Sequence, residues 1–359
     1  MRAAAITPGK EDSLRVIDID QPRQGAGEVL VRMLEAGVCG TDEELNLGIV
    51  GEAPAGSDYL IIGHENIGVV EDAGKDVRAF RKGDLVVATV RRSCPGMCFA
   101  CRTGQPDMCN SDDYLERGIK GMHGYMAEYY VERPENLIPV PQSLRKVGVL
   151  LEPLSIVEKG IGQAFKIQER MIWHPQRALV AGAGPIGLLA ALILRDSGLE
   201  VSTFATRSRE SLKARIAEAA GIEYFNVKET PIEQIAELQG PLDVIVEATG
   251  SSEIAFKAMR LAASNGIVCL TGLSPEQRTH TICTDCVNQD LVMHNKAVFG
   301  TVSSNRVHFE RGLDRLASIE RRWPGLLERM FSRRVGLEHV RESLKKEKDD
   351  VKVLVEIGA

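Results

Sequence analysis

Apolar residues in the first 150 positions come in short alternating runs, among them "GEVLVRMLEAGV" (27–38), "NIGVVEDAGKDV" (66–77) and "GDLVVATV" (83–90), divided by Gly and Pro. A period of two broken by turn residues predicts short strands and a mostly β, barrel-like unit. From about residue 178 the texture changes. "RALVAGAG", "EVSTFAT", "DVIVEATG" and "NGIVCLTG" read as strands, with "PIGLLAALILRDSG", "SLKARIAEAAG" and "SEIAFKAMRLAA" as helices between them. Strand and helix in alternation predict a doubly wound α/β unit built on a parallel sheet. After "KAVFGTV" charged helical stretches return, and the chain closes on the strand "VKVLVEIG", which most simply folds back onto the first unit.

A length of 359 residues suits about two domains, and 44% hydrophobic content suits ordinary globular cores. The net charge of -6, with both signs interspersed, supplies no basic stripe to neutralise a nucleic-acid backbone. No apolar run approaches the roughly 18 residues of a membrane span, and "MRAAAITPGKEDSLRV" lacks an apolar signal core. The expectation is a cytoplasmic protein whose eight cysteines stay reduced, so that clustered thiols point to metal.

"GAGPIG" places Gly182, Gly184 and Gly187 in GxGxxG spacing between a strand and a helix, the Rossmann dinucleotide fingerprint. The glycines permit a tight turn, close approach of a pyrophosphate and close helix packing, with the anion at the helix N-terminus. Where an acid would hydrogen-bond an NAD ribose, the next strand ends in Thr206, followed by Arg207 and Arg209. This favours NADP over NAD, since guanidinium groups pair with a 2′-phosphate, although both arginines also suit a solvent-facing helix start.

Cys94, Cys98, Cys101 and Cys109 lie within one short stretch of about residues 91–112, a CxxxCxxCx7C pattern. Four thiolates close a tetrahedral zinc shell and leave no position for substrate, so this lobe is structural. A sparser set comprises Cys39 in "GVCGTDEE", His64 and Glu65 in "GHENIGVV", and Glu152 in "LLEPLSIVEK". Thiolate, imidazole and carboxylate with an open position make a catalytic zinc pattern. Spacing alone leaves it open, because single Cys and His residues are more often buried structural groups. Asp42 is of the type that orients an imidazole ligand. Cys283 and Cys286 form an isolated CxxC read as incidental, and His294 and His123 read as structural.

The strings "GVCGTD", "GHENIGVV", the cysteine lobe and "GAGPIG" together resemble the zinc-dependent medium-chain dehydrogenases. "YLERGIKGMHGYMAEYY", "LLEPLSIVEK", "EATG" and "VMHNKAVFGTVSSNRVHFERGL" more narrowly resemble the archaeal-type glucose dehydrogenases. The resemblance implies a GroES-like, mostly β catalytic domain (1–155 and 304–359) and a Rossmann nicotinamide-binding domain (156–303). It implies catalytic zinc at Cys39 and His64, with Glu65 and Glu152 contacting it directly or through water, and Thr41 beside it. It also implies sugar contacts at Thr41, Thr89, Glu116, Glu152 and Ser303, and cofactor contacts at Gly182, Gly184, Pro185, Ile186, Gly187, Thr206, Arg207, Thr249, Thr271 and Ser303. Two departures stand out: a three-residue first gap in the lobe, and Ser303 where these enzymes commonly carry Asn.

The activity implied is zinc-dependent oxidation of an aldose, best D-glucose, at C1 to the lactone, with hydride passing to NAD(P)+. A homodimer or homotetramer is implied with it. Another aldose, a polyol or a secondary alcohol is the nearest rival substrate, and a non-enzymatic nucleotide-binding scaffold is the rival of a different class.

Overall fold

Strand Val29–Val38 buries eight of its ten residues because apolar residues occupy both of its faces. It organises a seven-stranded sheet in the order Leu137–Pro139, Leu85–Ala88, Glu65–Ala73, Val29–Val38, Lys352–Glu356 and Phe331–Gly336, with Tyr129–Glu132 also paired to Val29–Val38. The terminal strand Lys352–Glu356 runs antiparallel to it, Val353 opposite Val38 and Glu356 opposite Glu35. The closing strand therefore does return to the first unit. Val31, Met33, Val70, Val86, Tyr125 and Val355 form part of one buried core there. A small sheet of Arg91–Arg92, Leu115–Arg117 and Gly121–Met122 pairs Arg91 with Glu116 across the base of the cysteine lobe.

The computed structural model describes residues 1–274 and 278–358. They divide into two units: Met1–Ser155, Ser303–Ala317 and the chain from Phe331 onward, and Ile156–Val302 with Ser318–Met330. The second carries six parallel strands, in the order Glu223–Asn226, Glu200–Ala205, Arg177–Ala181, Leu242–Glu247, Ala262–Leu270, Ala297–Gly300. This is the doubly wound order, whose reversal beside Arg177–Ala181 leaves a crevice at the strand ends. Leu179, Phe204, Phe225, Ile245 and Val268 fill its core. Among the described residues no helix is long and apolar enough to cross a membrane.

The tail departs from the expectation that 304–359 belongs wholly with the first unit. Residues 318–330 go with the second, because the end of helix Pro185–Asp196 takes its partners from them. Arg322 donates to the carbonyls of Arg195 and Asp196 (3.1 Å each), and Ser318 Oγ to Asp196 Oδ1 (3.2 Å). Carbonyls at a helix C-terminus have no intrahelical donor, which is what Arg322 supplies. Ser303, placed at the end of the Rossmann segment from sequence, groups with the first unit.

Cysteine pairing is a second correction. Cys283 and Cys286 form a disulfide, not an incidental pair of thiols. Cys283 is the N-cap of helix Thr284–Met293 and Cys286 lies one turn on, which brings their Cα atoms to 5.2 Å, within bonding range. His123 and His294 are placed as structural groups: the His123 ring stacks on Tyr59 at 5.1 Å, and His294 pairs with Asp290 at 2.9 Å.

The first unit also buries a charge cluster. Glu132 accepts from Arg92 Nη2, Arg117 Nη2 (2.9 Å), Asn136 Nδ2 (2.8 Å) and the Arg133 amide (3.0 Å). Burial opposes its ionisation, but Arg117 and Arg92 outweigh burial and pull the carboxyl from 4.5 down to about 2. A carboxyl depressed on folding stabilises above its unfolded pKa, and that stability is lost as pH falls through the folded value. Glu132→Gln is therefore expected to reduce unfolding free energy by about 3 kcal/mol at pH 7. In urea titrations the gap from wild type should narrow below about pH 4, and an equal gap at pH 7 and pH 3.5 would contradict the charge-based account.

Candidate active site

Cys39 ends strand Val29–Val38 and caps helix Gly40–Asn46. Its Sγ accepts the Thr41 amide (3.2 Å), while Asp42 Oδ2 accepts the Cys39 amide (2.9 Å), a reciprocal capping box. Pairing of Gly37 with Glu65 then sets the adjoining loop so that His64 Nε2 lies 3.1 Å from Cys39 Sγ. Ligand atoms of Cys39, His64 and Glu65 all fall within 4.8 Å of one another. Glu152, in the first turn of helix Leu151–Gln168, is buried and feels the charges of His64 and Glu65, yet lies outside that tight group.

The cluster is short of positive charge. Burial disfavours the His64 imidazolium, but the Cys39 sulfur and Asp42 overcome it and raise its pKa well above the usual value. Burial raises the Glu152 carboxyl to about 7, with Glu65 adding to the effect and His64 opposing it. Asp42 Oδ1 and His64 Nδ1 face each other at 4.0 Å, too far for a hydrogen bond, and each is buried without a partner. A divalent cation fits this donor set: it supplies the missing charge and takes the thiolate and imidazole it favours.

Lys352 was not foreseen. Its Nζ lies 2.6 and 2.7 Å from the two Glu65 oxygens and 3.1 Å from the Val38 carbonyl. Gly37 makes room for this, since a Cβ there would fall 2.0 Å from Glu65 Oε2. The one signal in the sequence is a lysine inside "VKVLVEIG", because a lysine buried in an apolar strand needs a partner.

Glu116 gives Oε1 to Arg91, with Nε at 2.8 Å and Nη2 at 2.7 Å. Thr89 is buried and lies in a polar network: Arg92 Nη1 donates to its carbonyl (2.9 Å) and hydroxyl (3.0 Å), and Tyr125 Oη to its carbonyl (2.7 Å). Thr41 is half-buried in the first turn after Cys39.

In the lobe, the four sulfurs of Cys94, Cys98, Cys101 and Cys109 lie within 4.8 Å of one another, yet none is in a disulfide. Four thiols converging unbonded fit a single zinc ion. The longer first gap is absorbed by Met97, which adopts a left-handed φ of 44° while its amide bonds the Cys94 carbonyl (2.9 Å). Backbone amides of Cys101 and Asn110 hold Cys98 down to about 6, whereas burial pushes Cys101 up to about 12.

The second unit shapes a dinucleotide cradle. Gly182 has φ +107°, a Cβ on Gly187 would lie 1.8 Å from the Gly182 carbonyl, and nothing lies within 4 Å of a Cβ at Gly184. Gly184 is the N-cap of helix Pro185–Asp196, Pro185 and Ile186 open its first turn, and the open space faces that helix end. These features fit a pyrophosphate. Thr206 and Arg207 are exposed just past strand Glu200–Ala205. The Arg209 guanidinium is held by the Tyr224 carbonyl (2.9 Å), whereas the Arg207 guanidinium makes no hydrogen bond or ion pair among the described residues. Thr249 and Thr271 both turn towards Glu247: its carboxylate accepts the Thr249 amide (2.7 Å), and its carbonyl accepts the Thr271 hydroxyl (2.7 Å).

A family model described as the glucose dehydrogenase C-terminus matches residues 145–357, and one for the alcohol dehydrogenase GroES-like domain matches 25–142. The chain is 91% identical to a glucose 1-dehydrogenase of Methanocella arvoryzae over 359 residues, all of both chains. It is 39% identical to one of Thermoproteus tenax, covering 99% of each. Among solved structures, Haloferax mediterranei glucose dehydrogenase in complex with NADP, Zn and gluconolactone matches with TM-score 0.92 and 33% identity, covering 100% of each. The chain belongs to the glucose 1-dehydrogenase family of zinc-dependent medium-chain dehydrogenases.

Within this family member, Ser303 has an unusual backbone. Its φ of 58° is left-handed, a region Asn visits more readily than Ser. A serine here thus leaves a strained backbone at a buried position.

Two outcomes follow from the geometry. Gly187→Ala should weaken NADP binding at least tenfold in a fluorescence titration, since its methyl would collide with the Gly182 carbonyl, and unchanged affinity would refute the cradle. A carboxyl whose pKa is raised on folding costs stability as pH climbs from its unfolded to its folded value. In metal-free protein Glu152→Gln should therefore be more stabilising at pH 8 than at pH 5 by about 2 kcal/mol, as read by thermal unfolding.

Proposed function

We propose that this glucose dehydrogenase family member oxidises D-glucose at C1 to the lactone, with hydride passing to NADP+ and one proton released. The observation that carries the reading is the convergence of Cys39, His64 and Glu65, in one unit with the Arg91-bound Glu116. Zinc held by Cys39 and His64, with Glu65 or Glu152, would supply a Lewis acid that lowers the pKa of the C1 hydroxyl. A second zinc on the four lobe cysteines would hold the loop.

The chain's own groups handle recognition and protons. Arg91 takes one oxygen of Glu116, so the other is offered to sugar hydroxyls in a fixed orientation. Thr41 supplies a hydroxyl beside Cys39 to relay the C1 proton towards solvent. Thr89 and Ser303 complete the polar lining. Such groups suit a polyol, since a simple alcohol would leave each unpaired at about 1–3 kcal/mol. Asp42, which faces His64 Nδ1 at 4.0 Å, would orient the imidazole by closing to a hydrogen bond when metal is bound. Arg207 selects the 2′-phosphate of NADP, while NAD lacks the group it would bind. Family resemblance supports a homodimer or homotetramer.

A panel of glucose, galactose, xylose, sorbitol and 2-butanol with each cofactor tests this reading. Activity should be highest with glucose and NADP+, and activity confined to 2-butanol would defeat it. Arg207→Ala should raise KM for NADP+ by about tenfold, equivalent to one lost charge-assisted pair, and leave KM for NAD+ unchanged. Cys39→Ala should remove both activity and one equivalent of zinc, whereas a scaffold would lose neither. Ser303→Asn should stabilise the protein by about 0.5–1 kcal/mol in urea unfolding by relieving the left-handed serine.

A further inference from the structure

The disulfide Cys283–Cys286 is not used by the proposed reaction, and its surroundings are those of a reactive thiol pair. Cys283 is exposed and Cys286 half-buried, so one sulfur is open to solvent. Cys283 caps the ten-residue helix Thr284–Met293, and its Sγ accepts the Cys286 amide at 3.2 Å. After reduction the same amide and the helix end would stabilise a Cys283 thiolate, while Asp285 in that turn opposes it. Cys283 also lines a cavity of about 310 Å³ with Phe256, Lys257, Arg260 and His280. Glu253 (3.0 Å) and Glu233 (3.2 Å) occupy Lys257. Glu253 lines the cavity as well but is taken up by Lys257, so Arg260, which makes no ion pair among the described residues, is the cation left to meet an anionic visitor.

We propose that Cys283 and Cys286 form a reversible dithiol–disulfide site that exchanges with a small anionic thiol, with Cys283 as the attacking and attacked sulfur. In the reducing direction an external thiolate forms a bond to Cys283 Sγ, the Cys283–Cys286 bond breaks, and Cys286 leaves as thiolate. A second external thiolate attacks the external sulfur of this mixed disulfide and releases Cys283. Two external thiols are oxidised to their disulfide, two electrons reduce the protein bond, and their two protons pass to the cysteines. Oxidation runs the same steps in reverse, with a small-molecule disulfide as oxidant.

The test uses the zinc-loaded full chain equilibrated with graded ratios of reduced to oxidised glutathione, quenched in acid, alkylated and mapped by mass spectrometry. The peptide carrying Cys283 and Cys286 should pass between dithiol and disulfide as a single two-electron couple, while Cys94 to Cys109 stay unoxidised. A pair that stays wholly oxidised or wholly reduced at every ratio would overturn the proposal. In single variants, Cys283 of Cys286→Ser should capture glutathione from oxidised glutathione about tenfold faster than Cys286 of Cys283→Ser. Equal rates, or the reverse order, would overturn the role given to Cys283. Cationic cystamine should react more slowly than oxidised glutathione at matched ionic strength, and a faster reaction would overturn the anionic preference.

Discussion

The ion pair between Glu65 and Lys352 is the constraint on which the first unit depends. Both side chains are almost fully buried, at 2% and 1% exposure. Removing each ion from water costs several kcal/mol, and only close pairing offsets that cost. Breaking such a pair from one side leaves an uncompensated charge, worth roughly 3–5 kcal/mol. The terminal strand therefore has little freedom in where it docks. It must place Lys352 over Glu65, and its register with Val29–Val38 does so. Residues 287 positions apart in sequence are thereby made neighbours.

That pair also sets the electrostatics of the site. Asp42, Glu65, Glu152 and the Cys39 sulfur converge on a small buried volume in which Lys352 is the one permanent cation among the described residues. One ammonium neutralises Glu65 but leaves the rest in deficit, which His64 and Glu152 register as raised proton affinity. Lys352 thus has two effects. It anchors Glu65 away from free rotation, and it keeps the charge deficit near that which a single dication would fill.

What was legible in the sequence was local. Strand and helix periods, the "GAGPIG" turn and the cysteine lobe all draw their meaning from residues within one turn or loop, so pattern reached them directly. The mixed set was not legible from spacing, because Cys39 and Glu65 meet only through the pairing of Gly37 with Glu65 across two strands. Resemblance to a known family supplied what periodicity lacked. Lys352, Arg91 and the passage of 318–330 to the second unit remained hidden, since each depends on a partner distant in the chain. The Cys283–Cys286 bond was hidden for another reason: a CxxC reads alike as thiols or as a disulfide until the helix start at Thr284 is known.

The cysteine lobe, though closed to substrate, is tied to the site at two points. Its base is the ladder in which Arg91 faces Glu116, so the lobe fixes the guanidinium that orients that carboxylate. From within the lobe, Asp107 Oδ1 accepts from Asn305 Nδ2 at 2.8 Å, and both residues are buried. Asn305 lies two residues after the left-handed Ser303. The strain of Ser303 is thus held between buried partners, one of them in a loop that its four thiols shape. A loop of this kind has little core of its own, and metal binding is what gives such loops a fixed form. The lobe and the residues proposed to face the sugar are therefore coupled through Arg91 and Asp107, without any of the lobe's four sulfurs having to reach the proposed reaction site.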